Sequence, residues 1–479
     1  MSTDFLTGKK AGTDFLPGKK TGTLADGATI LCVFVAVLML IPARAVVRGL
    51  PLSLTPANIA ALFALICWLC AQLTLTLGMA KGRTPVRTSL FVYMLANLMS
   101  YGYANYAALP ADEVKLSDHA IVLVAANVAV ALMMNDGVRG LLRLDRVLKC
   151  VVVCGTGVAL IGCCQFVLKI DLTKYLALPG LRFTSDDGFV ETRDSLARVA
   201  GTTGHPIEFG VLCAMLVPLA AHFAFQAKQR REPALRWWLC CLIIAAGLMF
   251  SISRSAVLGI AAIAVVLFLG WPAKRRLYAL ITAGVFLGLI KIAVPSLLGA
   301  LWDLFANFGR DTSISHRTYA QAVAAKQISL HPLLGHGPGT WYFPKHEVFD
   351  NEYILTTVST GFVGLAAFGA IFLCAFYSAL RARYLSKDPG TRDLALTLCA
   401  CMVAPLLGAA TFDLLGFATV TGVTFLMAGA CGSLLRTAKE LAPHEDQFGV
   451  LYWVRYRWAW LRGLLSRRRR REAVPEAVG

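Results

Sequence analysis

The chain has 479 residues, 57% of them apolar and only 15% charged, with a mean hydropathy of +0.64. That balance excludes an ordinary soluble enzyme. The apolar residues come in runs of roughly 17–25, the length that crosses a bilayer as a helix, so an all-α, polytopic integral membrane protein is expected. The formal net charge of +18 would suit a nucleic-acid partner, but its distribution along the chain assigns it to membrane topology, and no nucleic acid is expected.

Residues 1–27 are polar and carry an imperfect duplication, TDFLTGKK at 3–10 and TDFLPGKK at 13–20. They read as a disordered cytoplasmic tail. A transmembrane domain over 28–436 follows. Its twelve spans are expected near 28–46, 57–79, 88–108, 118–135, 147–169, 206–226, 235–252, 254–271, 277–295, 353–380, 393–412 and 414–436. With the amino terminus inside, the inner connections collect most of the Lys and Arg, among them Lys81, Arg83, Arg139, Arg143, Lys228, Lys274 and Arg381. This is the bias that orients membrane proteins. The 14 cysteines lie within or at the edge of apolar runs, so neither a disulfide framework nor a zinc site is expected.

Residues 437–479 form a basic, aromatic cytoplasmic tail. Tyr452, Trp453, Tyr456, Trp458 and Trp460 alternate with arginines ahead of RRRRR at 467–471, a composition suited to a helix lying on an anionic leaflet.

Two outer segments are long enough to build a site, 170–205 and 296–352. The first carries Asp186, Asp187, Glu191, Arg193, Asp194, Arg198 and His205; the second carries Arg310, Asp311, His316 and Arg317. A short outer turn, SISRSA at 251–256, sets Arg254 at the membrane surface. Arginine there opposes the topology bias. Arg198, Arg254 and Arg317 are therefore candidate anion-binding residues, since a guanidinium fork matches phosphate oxygens in paired hydrogen bonds. The structural alternative is snorkelling to headgroups, or pairing with a loop carboxylate such as Asp194.

The second segment closes on HPLLGHGPGTWYFPKHEVFDNEYILTTVSTGFVG at 331–364. Glycines at 335, 337 and 339 with Pro338 predict a turn. Crowded behind it are His331, His336, His346, Glu347, Asp350, Asn351 and Glu352. Asp350, His336 and His346 are the candidate acid–base groups. Asp350 has a second reading, as the N-cap of the tenth span accepting from the N–H of Tyr353. Glu208, at the mouth of the sixth span, and Asp413, between the last two, are further candidates, with salt-bridge roles as the alternative.

Four blocks together resemble the O-antigen ligase and polymerase superfamily of the bacterial envelope: RVAGTTGHPIEFGVLCAMLVPLA at 198–220, SISRSAVLGI at 251–260, SHRTYAQAVAAKQISLHPLLGHGPGTW at 315–341 and DNEYILTTVSTGFVGLAAF at 350–368. The resemblance implies a GT-C-like membrane architecture and an inverting glycosyltransferase in the inner membrane. Such an enzyme transfers a glycan from an undecaprenyl-pyrophosphate-linked donor to an acceptor hydroxyl on the periplasmic face, with no nucleotide sugar, metal or other cofactor.

By the same resemblance Arg198 and Arg254 match the arginines that hold the donor pyrophosphate, and Arg317 a third basic position. His205, Glu208 and Asn351 join them as substrate-binding candidates. The ligases have His-Asn where this chain has Asp350-Asn351; HPIEFG at 205–210 and DNEYI at 350–354 look closer to exopolysaccharide and O-antigen polymerases. Implied partners are the lipid-linked donor, a glycan or lipid-linked acceptor, membrane lipids, and a flippase and chain-length regulator. The alternatives are a ligase acting on lipid A core or protein, and a lipid-linked saccharide transporter. A transporter is expected to show mid-span charges and internal symmetry, and the sequence has neither.

Overall fold

The computed structural model describes residues 26–74, 82–107, 109–176, 178–184, 191–193, 196–306, 313–343 and 345–442. The duplication near the start and the arginine-rich tail lie outside these residues. So do Asp186, Asp187, Asp194, Arg310 and Asp311.

Each of the twelve expected spans meets a helix: α1 Gly27–Leu40, α2 Pro56–Leu73, α3 Pro85–Tyr106, α4 Ala111–Leu132, α5 Leu141–Leu168, α6 Pro206–Gln229, α7 Leu235–Phe250, α8 Arg254–Gly270 and α9 Ala273–Ala293, then α12 Glu352–Leu385, α13 Pro389–Gly408 and α14 Ala418–Leu441. Two further helices, α10 Pro295–Ala306 and α11 Ser313–Leu330, lie in the long segment between α9 and α12. Among the described residues eight helices are long and apolar enough to cross a membrane, namely α2, α4, α5, α6, α9, α12, α13 and α14. Helices α1, α7 and α8 are shorter apolar ones, and α3, with 22 residues, has the length but a more polar sequence.

Helix starts follow local chemistry. Five of the described helices open with proline, where its missing N–H costs nothing, and four of these start behind a side-chain cap. Thr55 accepts from the N–H of Asn58, Thr84 from that of Arg87, His205 from that of Ile207 and Asp388 from that of Thr391. Several expected boundaries move, among them those of the first and last helices. The first helix stops at Leu40, not 46, because Pro42 pushes Ile41 out of the helical region. The last begins at Ala418, not 414, because residues 409–417 form a turn. It runs to Leu441, past the expected end of the span at 436.

Two short antiparallel ribbons decorate the outer segments: β1 Ala45–Val47 with β2 Leu181–Phe183, and β3 Glu191–Arg193 with β4 Leu196–Arg198. The all-α architecture stands. At its centre is α14, 94% of whose apolar window is buried, against 6% for the peripheral α9. Small residues allow that closeness: a Cβ on Gly422 would strike Leu38, one on Gly429 the backbone of Ala131, and one on Gly432 the Asn135 amide.

Helix α12 is broken one-third of the way along, at Gly361 (φ +69°). The 332–337 turn fits into the break. The N–H groups of His336 and Gly337 donate to the carbonyls of Val358 and Ser359 at 2.9 and 2.8 Å. The N–H groups of Phe362 and Val363 donate to those of Pro332 and Leu333 at 2.9 and 3.3 Å. Ser100 Oγ on α3 donates to the Leu334 carbonyl at 2.6 Å. Irregular backbone survives within a bundle only when satisfied in this way. Gly335 is required there: a Cβ would lie 2.5 Å from the Ser359 carbonyl, and its φ is +67°.

Candidate functional site

Four segments distant in sequence meet at one end of the bundle: the approach to α6, the α7–α8 turn, the start of α12 and the α13–α14 turn. Arg198, closing β4, donates from Nε to the carbonyl of Ser251 at 3.2 Å. The next residue, Ile252, is held at φ +44°, a costly conformation for a β-branched side chain. Ser253 then stands at the N-cap of α8 without making a side-chain cap bond, and its buried Oγ has no hydrogen-bond partner among the described residues. Arg254 is the first residue of α8, whose first turn has no acidic residue. A cation at a helix N-terminus opposes the helix dipole. Two arginines and a helix N-terminus thus share a single turn, an arrangement with affinity for an anion.

The carboxylates come from the other two segments. Ser255 Oγ, one residue beyond Arg254, lies 2.7 Å from Thr411 Oγ1 and joins α8 to the α13–α14 turn. Asp413 sits on that turn. Burial, opposed by a hydrogen bond to its own backbone and reinforced by the charge of Asp350, pushes its carboxyl up to about 6. Asn351 accepts from the N–H of Ile354 at 3.2 Å, capping α12, and donates to the Ala410 carbonyl at 3.1 Å. Glu352, 2% exposed, accepts from Thr356 Oγ1 at 2.6 Å and from the Leu415 N–H at 2.8 Å. The capping role considered for Asp350 therefore falls to Asn351. Asp350 stays exposed, its charge facing Asp413.

Two expected substrate-binding residues hold the frame. His205 caps α6, Nδ1 accepting from the Ile207 N–H at 3.1 Å, and its ring lies 5.7 Å from that of Phe417 on the same α13–α14 turn. Glu208 is fully buried, accepting from the N–H groups of Gly204 at 2.6 Å, Thr419 at 2.7 Å and Val420 at 3.1 Å. It caps α14, and no arginine pairs with it among the described residues. Arg317 lies in α11 with its side chain outside the described residues.

His336 and His346 fall into a second cluster, on the first turn of α4. His346 Nε2 is 3.7 Å from Glu113 Oε1, and His336 Nδ1 is 3.9 Å from Glu113 Oε2 and 3.0 Å from Thr340 Oγ1. Lys345 also pairs with Glu113, and with Asp112 at 3.2 Å. Burial above all lowers the pKa of His336, against the opposing pull of the Glu113 carboxylate. His346 stacks on Trp341 at 4.2 Å, and Trp341 on Phe349 at 5.4 Å. Glu113, 3% exposed, is the residue that sequence reasoning missed. Its signal was an acidic group at the mouth of an apolar run. Among the described residues no group of three His, Cys, Asp or Glu could hold a metal ion.

Residues 239–369, from within α7 to beyond the break in α12, match the O-antigen ligase family model. The chain is similar to the exopolysaccharide production protein ExoQ of Rhizobium meliloti (strain 1021), 28% identical over 142 residues. That alignment takes in 26% of this chain, and the chain spans 32% of the length of this curated relative. Arg254, Asp350, Asn351, His336 and His346 lie inside the family match; Arg198, Glu208 and Asp413 lie outside it. Over residues 239–369 the chain is thus similar to the O-antigen ligase family, within a helical architecture whose described residues include eight helices long and apolar enough to cross a membrane.

Proposed function

We propose that the protein is an inner-membrane glycosyltransferase that polymerises undecaprenyl-pyrophosphate-linked oligosaccharide at the outer, periplasmic end of the bundle. What supports the reading most is that Arg198 and Arg254 share the turn that opens α8, and that Ser255 on this helix touches Thr411 on the turn that carries Asp413. The arginines and helix amides receive the donor pyrophosphate and stabilise its charge as it leaves. An acceptor hydroxyl attacks the anomeric carbon, the carbon–oxygen bond to pyrophosphate breaks, and configuration inverts. The hydroxyl proton passes to Asp350, which Asp413 flanks as a partner able to hold a proton near pH 6. Arginine clamps also fix orientation, worth several kcal/mol of barrier in favourable cases, roughly 7–11 kcal/mol at the extreme.

Polymerase is preferred to ligase because Asp350 stands where the ligases have histidine, and because the curated relative is an exopolysaccharide production protein. The test is the lipid-linked pool. Cells carrying Arg254→Ala at normal membrane abundance are expected to lose polymer and accumulate single repeat units on undecaprenyl pyrophosphate. Accumulation of finished, unattached polymer would point to ligation instead. Sidedness is tested in a background without native cysteines. An impermeant maleimide is expected to label a cysteine at Phe343, which is 75% exposed, but not one at Lys274 in intact spheroplasts.

A further inference from the structure

At the end of the bundle opposite the arginine–carboxylate cluster, a cavity of about 520 Å³ opens between the last turn of α2 and the first turns of α3. Its lining divides by chemistry along α3. Gln72, Gly82, Arg83, Arg87 and Thr88 form one end, and Phe91, Val92 and Leu95 form the wall beyond. Arg87 is held in place. Its Nη1 is 3.5 Å from Asp136, and its guanidinium lies 5.6 and 5.7 Å from the rings of Trp68 and Phe91. Arg436 approaches the same Asp136 at 3.8 Å, so one buried carboxylate faces two guanidiniums. Arg83 is exposed and adds to the positive charge at the mouth.

We propose that this cavity binds an anionic phospholipid of the leaflet at that end, its phosphate received by Arg83 and Arg87 and an acyl chain laid along Phe91, Val92 and Leu95. These three apolar residues are 44%, 48% and 58% exposed and face outward from the bundle. A free phosphate would use the arginines and leave the wall uncovered. A zwitterionic lipid would cover the wall and leave the excess charge unmatched. An amphiphile with a negative head satisfies both, and a guanidinium is the preferred partner for its phosphate. The surrounding inner connections are the basic ones, which sets this end against the anionic cytoplasmic leaflet. The lipid is no substrate of the proposed transfer, because the length of α3, about 33 Å for its 22 residues, separates the two ends.

Native mass spectrometry of the detergent-extracted full chain, titrated with phosphatidylglycerol or phosphatidylcholine, tests the assignment. A phosphatidylglycerol is expected to bind in clear preference to phosphatidylcholine. Arg83→Ala should weaken it about fivefold, the loss of one basic residue near a charged surface. Val92→Trp, which fills the wall from an exposed position, should weaken it while leaving both arginines in place. Lys274→Ala, an exposed charge on another inner connection, should change nothing. Equal binding of the two lipids overturns the proposal. So does equal weakening by Lys274→Ala, which would mean diffuse charge attraction. Unaltered binding to Val92→Trp together with full displacement by inorganic phosphate would reduce the cavity to an anion site and overturn it as well.

Discussion

Arg198 reaches across 53 residues of sequence to place its Nε 3.2 Å from the carbonyl of Ser251, three residues before Arg254 opens α8. The two arginines are thereby set on the same turn, with Ile252 strained between them. Replacing either with Ala is expected to remove a charge-assisted contact worth roughly 2–4 kcal/mol in the transition state, about 30- to 1000-fold in rate. Arg254→Lys should recover little, since an ammonium lacks the fork. Rates measured in membranes with defined lipid-linked donor decide this; a wild-type rate for Arg254→Ala at equal abundance removes the arginine from the mechanism.

Asp350→Asn keeps the shape and removes the base. Because Asn351 caps α12, the substitution leaves that helix start intact, and thermal unfolding should match the wild type. Polymer formation should fall by about 100-fold or more, within the range of a lost general base. Full activity would transfer the proton to another group, with Asp413 the next to test.

Asp413 makes a pH-dependent prediction whose sign is definite. Its folded-state pKa of about 6 lies above its ordinary 3.8. Its contribution to stability is therefore fully present below pH 3.8 and is lost as pH rises through 6. The displacement corresponds to roughly 2–3 kcal/mol. Asp413→Asn should raise the unfolding temperature above pH 6 and converge with the wild type in acid. If Asp413 shares the proton handled by Asp350, the same variant loses activity while gaining stability. A variant that is both more stable and fully active would make the carboxyl a mere burial cost.

The seating of the 331–346 turn on the bundle is testable at two points. Gly361→Ala places a Cβ against the Leu333 carbonyl at a positive φ. It should destabilise by at least ~1–2 kcal/mol for the left-handed backbone alone. Glu113→Ala removes the carboxylate shared by His336, Lys345 and His346. Amide exchange in 336–346 should then accelerate by about tenfold or more, the factor for each 1.4 kcal/mol of lost anchoring, while α14 stays protected. Unchanged exchange would mean that backbone bonds to α12 seat the turn unaided.

The order of the apolar helices was legible from the chain because the bilayer imposes a length, so that each apolar run declares a helix without reference to its neighbours, whereas α10 and α11 of the long connecting segment were not foreseen. The same holds for the turn at 335–339, whose three glycines all adopt positive φ. Arg198, Arg254 and Asp350 could be singled out because charge at an outer mouth is expensive and therefore informative. What hydropathy could not supply is which groups share a neighbourhood. The cap on α12 moved from Asp350 to Asn351 by one residue, a distinction set by backbone geometry at the helix start. Glu208 became the cap of a helix more than 200 residues away, and His336 and His346 turned to Glu113. These pairings depend on how helices of nearly equal apolarity pack side by side, and in a membrane that is decided by small-residue fit and buried hydrogen bonds, neither of which leaves a periodic trace in a single sequence.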